Sequence, residues 1–354
     1  MRDFRKTLDL REAKGRRRAI SLSQEGLVKT EFLRPGSALP LVIHPAVEGI
    51  DLPAWAKTNR DFIDSNLLRY GAVLFRDFKI GTADEFEQLI LSVSENTMEY
   101  RERSSPRTHV RRNIYTSTDY PASQSIFLHN ENSYAYVWPM KIFFFCVQPA
   151  RSGGETPIAD CRKVFQRIDP DIRQRFIEKR VLYVRNFSEG LSLPWETVFQ
   201  TSDRSQVEQY CRKAGYDPEW VGGNNLRTRR VGQAVVKHPR TEEMSWFNHG
   251  TFFHVTTLEP TLASALMTGL NEKDLPNNTY YGDGTTIEPA VLDKLREAYM
   301  QEMVTFPWRS GDVLMLDNML VAHGRAPFEG ERKILVGMSE PITSMDIDQE
   351  DHTW

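Results

Sequence analysis

The first residues that could do chemistry are His129-Asn130-Glu131. An imidazole and a carboxylate two positions apart point to the same side of an extended chain. A further neutral imidazole would complete a two-histidine, one-carboxylate face, which leaves room on a ferrous ion for a bidentate cosubstrate and oxygen. With eight histidines and 48 acidic residues in 354, such a tripeptide sits near chance, so its setting must carry the weight. It follows apolar Ile126-Phe127-Leu128 and opens the turn-prone Asn130-Glu131-Asn132-Ser133. Strand ends hold ligands rigidly while exposing them. His323 is the other candidate, because it ends the apolar run from Val313 to Ala322. Arg332 then precedes Lys333-Ile334-Leu335-Val336. A buried arginine at a strand start is costly unless it meets an anion. Its guanidinium fork suits a carboxylate.

Competing signatures are missing. The chain has no phosphate-loop motif, no complete dinucleotide-binding glycine motif and no G-x-S-x-G nucleophile elbow. Gly282 and Gly284 lack the third glycine. His249 and His254 lie among Trp246, Phe247, Phe252 and Phe253, where a packed histidine is the simpler reading. His44, His109, His238 and His352 have no motif context.

The elements that must position these residues can be read from periodicity. Helical patterns cover 58–70, 83–94, about 164–179 from a start near Asp160, and 200–214. Strand patterns cover 72–75, 126–128, 141–148, 182–186, 233–237, 246–255, 312–317 and 333–338. Residues 257–302 read as mostly helical, interrupted by a turn-rich stretch at 277–284. Strands thus fall in two blocks around a helix-rich insert. That predicts one α+β domain with a mixed or antiparallel sheet, not alternating βαβ units. The expected divisions are a basic arm at 1–20, one domain at 21–342 and a tail at 343–354.

Composition narrows the class. A hydrophobic share of 40% and a charged share of 26% are those of an ordinary globular chain. The net charge of −3 gives no reason to expect a nucleic-acid or membrane partner. Cys146, Cys161 and Cys211 form no C-x-x-C pair, which fits a reducing, cytoplasmic setting. No secretory signal or membrane-spanning apolar run is visible. The basic arm, with Gly15-Arg16-Arg17-Arg18, reads as a solvated segment or a docking surface for an acidic partner.

Three stretches now combine. Leu128-His129-Asn130-Glu131-Asn132-Ser133-Tyr134, Ser152-Gly153-Gly154-Glu155-Thr156-Pro157, and Asp317-Asn318 through His323-Gly324-Arg325 to Arg332 occur in this order. Over roughly residues 30–342 the chain resembles the taurine-dioxygenase-like Fe(II)/2-oxoglutarate oxygenases. Among these it is most similar to the syringomycin-cluster aspartyl hydroxylase subgroup. The resemblance implies a distorted double-stranded β-helix, or jelly roll, mainly β with peripheral helices and a long helical insert. It implies that His129, Glu131 and His323 hold iron, and that Arg332, with Thr156 beside it, clamps 2-oxoglutarate. It further implies oxygen as cosubstrate, with succinate and carbon dioxide formed as a C–H bond is oxidised. Many family members carry Asp where Glu131 stands. A carboxylate at that position argues against the halogenases of this fold.

Asn130, Asn132, His249 and Arg325 are candidate substrate contacts. His249 earns its place from a departure: subgroup members read Trp-Phe-Asn-Gln-Ala-His where this chain has Trp246-Phe247-Asn248-His249-Gly250-Thr251. The implied reaction is hydroxylation of an amino acid or derivative in natural-product biosynthesis. Desaturation, cyclisation and epoxidation are alternative outcomes. A non-catalytic or regulatory member of the fold and a zinc hydrolase are alternative classes. The basic arm would suit an acidic peptidyl carrier protein bearing the substrate.

Overall fold

Phe143, Phe144 and Phe145 are all buried, although neighbours on a strand point to opposite faces. Their strand must therefore be covered on both sides. The computed structural model, which describes residues 26–348 except 35, 101 and 103–106, shows how. The basic arm at 1–20 lies outside the described residues.

The strand Val137–Gln148 lies inside an eight-stranded sheet, between Val313–Asp317 and Lys333–Thr343. Phe143 and Phe145 face one side, with Phe86, Leu89 and Ile90 of the helix Ala83–Val93 and Ile63 and Leu67 of Arg60–Tyr70. Phe144 faces the other side, with Leu314, Leu316, Val336 and Ile158. Full burial of each such ring is worth about 1.5–3 kcal/mol. The Ala83–Val93 helix begins at a capping box, in which Thr82 and Glu85 satisfy each other's backbone N–H.

A second, four-stranded sheet runs Met303–Val304, Ile158–Asp160, Val321–Arg325, Ile126–His129, all antiparallel. Two crossings link the sheets. Residues 130–136 join Ile126–His129 to Val137–Gln148, and residues 318–320 join Val313–Asp317 to Val321–Arg325. This is the jelly roll expected from the sequence.

Several local expectations need correction. The apolar run 313–322 is two strands in two sheets, not one strand ending at His323. Asp317 makes the break, because its carboxylate accepts from the Met319 and Leu320 amides. The helix expected at 164–179 is two helices, Cys161–Arg167 and Pro170–Lys179. Pro170 disfavours helical geometry at Asp169, and Asp169 then caps the second helix. The 246–255 stretch is strand only at Met244–Trp246, and Gly250–Phe253 is a helical turn.

The long helical insert is also richer in strand than expected. It holds a four-stranded sheet of Asp217–Val221, Asn225–Gly232, Val181–Phe187 and Asn277–Tyr281. The turn-rich 277–284 stretch thus contributes an edge strand. At the C-terminal end, Thr343 completes a core strand and the helix Ser344–Asp348 buries Ile347 beside Trp138 and Phe247. The domain therefore continues to at least 348, and residues 343–348 are not a separate tail. No helix among the described residues is long and apolar enough to cross a membrane.

Candidate metal centre and cosubstrate site

Strand pairing brings two segments that lie far apart in the sequence together. His323 stands directly opposite His129 in the antiparallel pair Val321–Arg325 with Ile126–His129. Their ring centroids are 4.5 Å apart. Glu131 follows His129 onto the same face. Donor atoms of His129, Glu131 and His323 all lie within 4.8 Å of one another.

The donor set suits a divalent metal. His129 Nδ1 lies 2.8 Å from the Phe127 carbonyl oxygen, so we assign the proton there and leave Nε2 as the lone pair. His323 Nδ1 is buried without a hydrogen-bond partner among the described residues, and His323 Nε2 lies 3.8 Å from Glu131 Oε2. Burial holds the His129 imidazole below its ordinary pKa. Burial, with His129 and Arg107 nearby, holds that of His323 well below. Both rings are neutral at pH 7, as ligation requires.

Three further contacts fix the cluster. The Asn318 side chain holds the Glu131 main chain, accepting from its N–H at 2.8 Å and donating to its carbonyl at 2.9 Å. Arg107 Nη2 donates to Glu131 Oε2 at 2.7 Å. The Phe252 ring stacks on His129 at 4.5 Å. Neither Arg107 nor Phe252 was visible as a site residue in the sequence, since neither repeats at any informative spacing. Asn318 was visible only as part of a motif.

Arg332 and Thr156 line one recess together with His129 and His323. Arg332 Nε donates to the Gly154 carbonyl at 2.8 Å. A Cβ on Gly154 would lie 2.9 Å from Arg332 Cδ, so the close approach needs glycine. Nη1 reaches Ser117 Oγ at 3.3 Å. No ion-pair partner for Arg332 exists among the described residues, and burial with nearby Arg325 pushes its pKa down to about 10. It is a fixed, charged and uncompensated cation, which is what an anionic ligand requires. Thr156 Oγ1 accepts from Trp308 Nε1 at 3.2 Å, which orients the hydroxyl.

The other candidates fall differently. Arg325 reaches the recess wall, but its guanidinium donates to the carbonyls of Tyr120, Pro121 and Gln124. Those bonds pin the 120–124 loop. Asn130 donates to the Asn318 carbonyl, and Asn132 accepts from the Tyr134 hydroxyl. Both are buried behind Glu131. His249 is buried 5.3 Å from the His129 ring, with Nδ1 held by Ser133 Oγ at 2.7 Å. It buttresses the ligand ring from behind. His238, which had no sequence context, pairs with Asp317 at 3.0 Å.

A cavity of about 450 Å³ opens onto His129, Glu131 and Arg107. The site thus combines a candidate metal-binding cluster, a recess lined by Arg332 and a cavity of substrate size, which meet at His129.

The chain is similar to known proteins in both sequence and fold. Residues 37–339 match the family described as taurine catabolism dioxygenase TauD, TfdA family. The chain is 42% identical over 280 residues to the dapdiamide synthesis protein DdaC of Enterobacter agglomerans, covering 79% of this chain and 85% of that one. It is 30% identical over 319 residues to a clavaminate synthase-like protein of Arabidopsis thaliana, covering 84% and 93%. Among solved structures, PvcB from Pseudomonas aeruginosa shares the fold with a TM-score of 0.53 at 15% identity, covering 90% of this chain and 93% of that one. AAD-2, solved with Mn(II) and N-oxalylglycine, superposes with a TM-score of 0.51 at 14% identity, covering 88% and 96%.

Proposed function

The chain belongs to the TauD/TfdA family of Fe(II)- and 2-oxoglutarate-dependent dioxygenases, and from that premise we propose that it hydroxylates an unactivated C–H bond of an amino acid or amino-acid derivative in natural-product biosynthesis. The observation that carries the reading is the His129, Glu131 and His323 cluster beside an uncompensated Arg332. In this reading His129, Glu131 and His323 hold Fe(II), and Arg332 and Thr156 hold 2-oxoglutarate. When bound, the iron and cosubstrate supply the oxidising equivalent from oxygen.

The protein's own part is positioning. His129 and His323 present neutral rings from paired strands, and Glu131 supplies the one anionic donor. Asn318 fixes the Glu131 main chain. Arg332 neutralises the distal carboxylate of the cosubstrate and sets its angle. Phe252 and Phe144 pack on the ligand rings and keep water off them. The cavity next to His129 holds the carbon to be oxidised.

The likeness to the dapdiamide synthesis protein supports a role in specialised metabolism. Three buried, unpaired thiols support a cytoplasmic setting. The basic arm supports delivery of the substrate on an acidic carrier protein.

Anaerobic titration with Fe(II) and 2-oxoglutarate tests the reading, followed by a screen of free and carrier-bound amino acids. Succinate release with gain of one oxygen atom by the substrate is the expected result. Loss of two hydrogens would replace hydroxylation by desaturation or cyclisation. Iron binding without succinate from any substrate would overturn the catalytic reading.

A further inference from the structure

The cavity beside His129 is larger and more apolar than a free amino acid needs. Its volume of about 450 Å³ lies in the range of roughly 300–1,000 Å³ where drug-sized ligands bury most of their surface. Away from the His129–Glu131 end, its wall includes Leu191, Val255, Leu258, Leu262 and Leu266, with Thr257 and Asn277 among them. Leu262 and Leu266 stand four residues apart on the helix Pro260–Gly269 and so share one face. That helix buries none of its residues, and Leu262 is 40% exposed. Its leucines border empty space that is continuous with the ligand cluster. A polar substrate would leave them against water.

The wall carries one cation among the described residues, Arg107. Its Nη2 is engaged by Glu131 and its guanidinium lies over the Tyr100 ring, whereas Nε and Nη1 are buried without a hydrogen-bond partner among the described residues. Unpaired buried donors cost free energy that an acceptor would recover.

We propose that the substrate is an amphipathic acid: an amino-acid derivative with its anionic oxygen group at Arg107 and an apolar chain along the leucine face of Pro260–Gly269. This rests on the oxygenase reading for where the reacting carbon sits, and it names the substrate class of that same site. Small free amino acids fill only the end of the cavity nearest His129.

The test is calorimetric, with protein loaded with Mn(II) and 2-oxoglutarate so that no turnover occurs. The probes are glycine and its N-acetyl, N-hexanoyl and N-decanoyl derivatives. Affinity is expected to rise by up to roughly fourfold for each methylene buried. The double variant Leu262→Asp with Leu266→Asp is expected to lose that gain while binding N-acetylglycine and 2-oxoglutarate as before. Arg107→Met is expected to weaken every acylated probe and leave the dependence on chain length intact. Equal affinity across the series overturns the proposal, as does a chain-length dependence that survives in the leucine variant. If Mn(II) and 2-oxoglutarate fail to bind while the chain-length dependence persists, the oxygenase reading falls and the amphipathic cavity stands.

Discussion

The Asn318 amide pairs with the main chain of Glu131 as one strand pairs with another. Its oxygen accepts from the Glu131 N–H and its nitrogen donates to the Glu131 carbonyl. A second bond from the same nitrogen reaches the Pro139 carbonyl. The loop that carries the carboxylate ligand is thereby tied to the turn just before His323. Asn318→Ala leaves these buried backbone groups unpaired, at about 1–3 kcal/mol for each one. The expected result is a lower melting temperature and metal binding weakened roughly 10–100-fold, as losses of supporting contacts generally give. Calorimetric titration with Fe(II) or Mn(II) measures it, and an unchanged dissociation constant would remove Asn318 from the centre.

His323→Ala removes a donor outright. Metal affinity should fall by more than the roughly 10–100-fold lost with a supporting contact. Residual succinate formation should vanish with it. Because His323 sits among Phe144 and the other buried rings, circular dichroism is the folding control. Tight metal binding by a folded variant would mean that the cluster is not the metal site.

Arg332→Met should act on the cosubstrate alone. Truncating one partner of a buried charge pair costs about 2–5 kcal/mol. The 2-oxoglutarate dissociation constant should therefore rise by roughly 30-fold or more, with metal affinity nearly unchanged. A zinc hydrolase would show no such effect, so the same variant separates the two enzyme classes.

Acid should destabilise the metal-free protein early. Burial holds the imidazoles of His129, His249 and His323 below their ordinary values. Burial and nearby Arg296 bring His254 to about 4. In the unfolded chain histidines take up protons near about 6.5. As pH falls below that value, the unfolded state binds protons that the folded state refuses, and stability drops. For His254 the loss is complete near pH 4. Scanning calorimetry in chelator should show a melting temperature that is level above about pH 7 and declines below it. A level profile down to pH 5 would contradict the neutral buried rings.

The sequence told unequally about fold and site. The sequence singled out His129, Glu131, His323, Arg332 and Thr156 because each sits in a short motif beside an apolar strand. Arg107 was not, because a single arginine in a polar stretch looks like surface until the chain folds it onto Glu131. The Asn225–Gly232 strand was missed because it carries Arg227, Arg229 and Arg230, whose charges meet Glu219, Asp274 and the Ala214 carbonyl only in the folded state. The break after Asp317 was hidden because apolar runs lie on either side of the Asp317-Asn318 pair. Local bonds to the Asp317 carboxylate from the Met319 and Leu320 amides decide it.

The facing register of His323 and His129 sets an order of events during synthesis. Some 194 residues separate the two ligands, yet they meet across one strand pair. At about 5–20 residues per second, His129 and Glu131 leave the ribosome roughly 10–40 seconds before His323 does. Until the Val321–Arg325 strand docks, the growing chain holds only two of the three proposed ligands. Iron can therefore enter late, once the last strands close the domain, and a chain that ends before residue 321 carries no complete centre however well its first half folds.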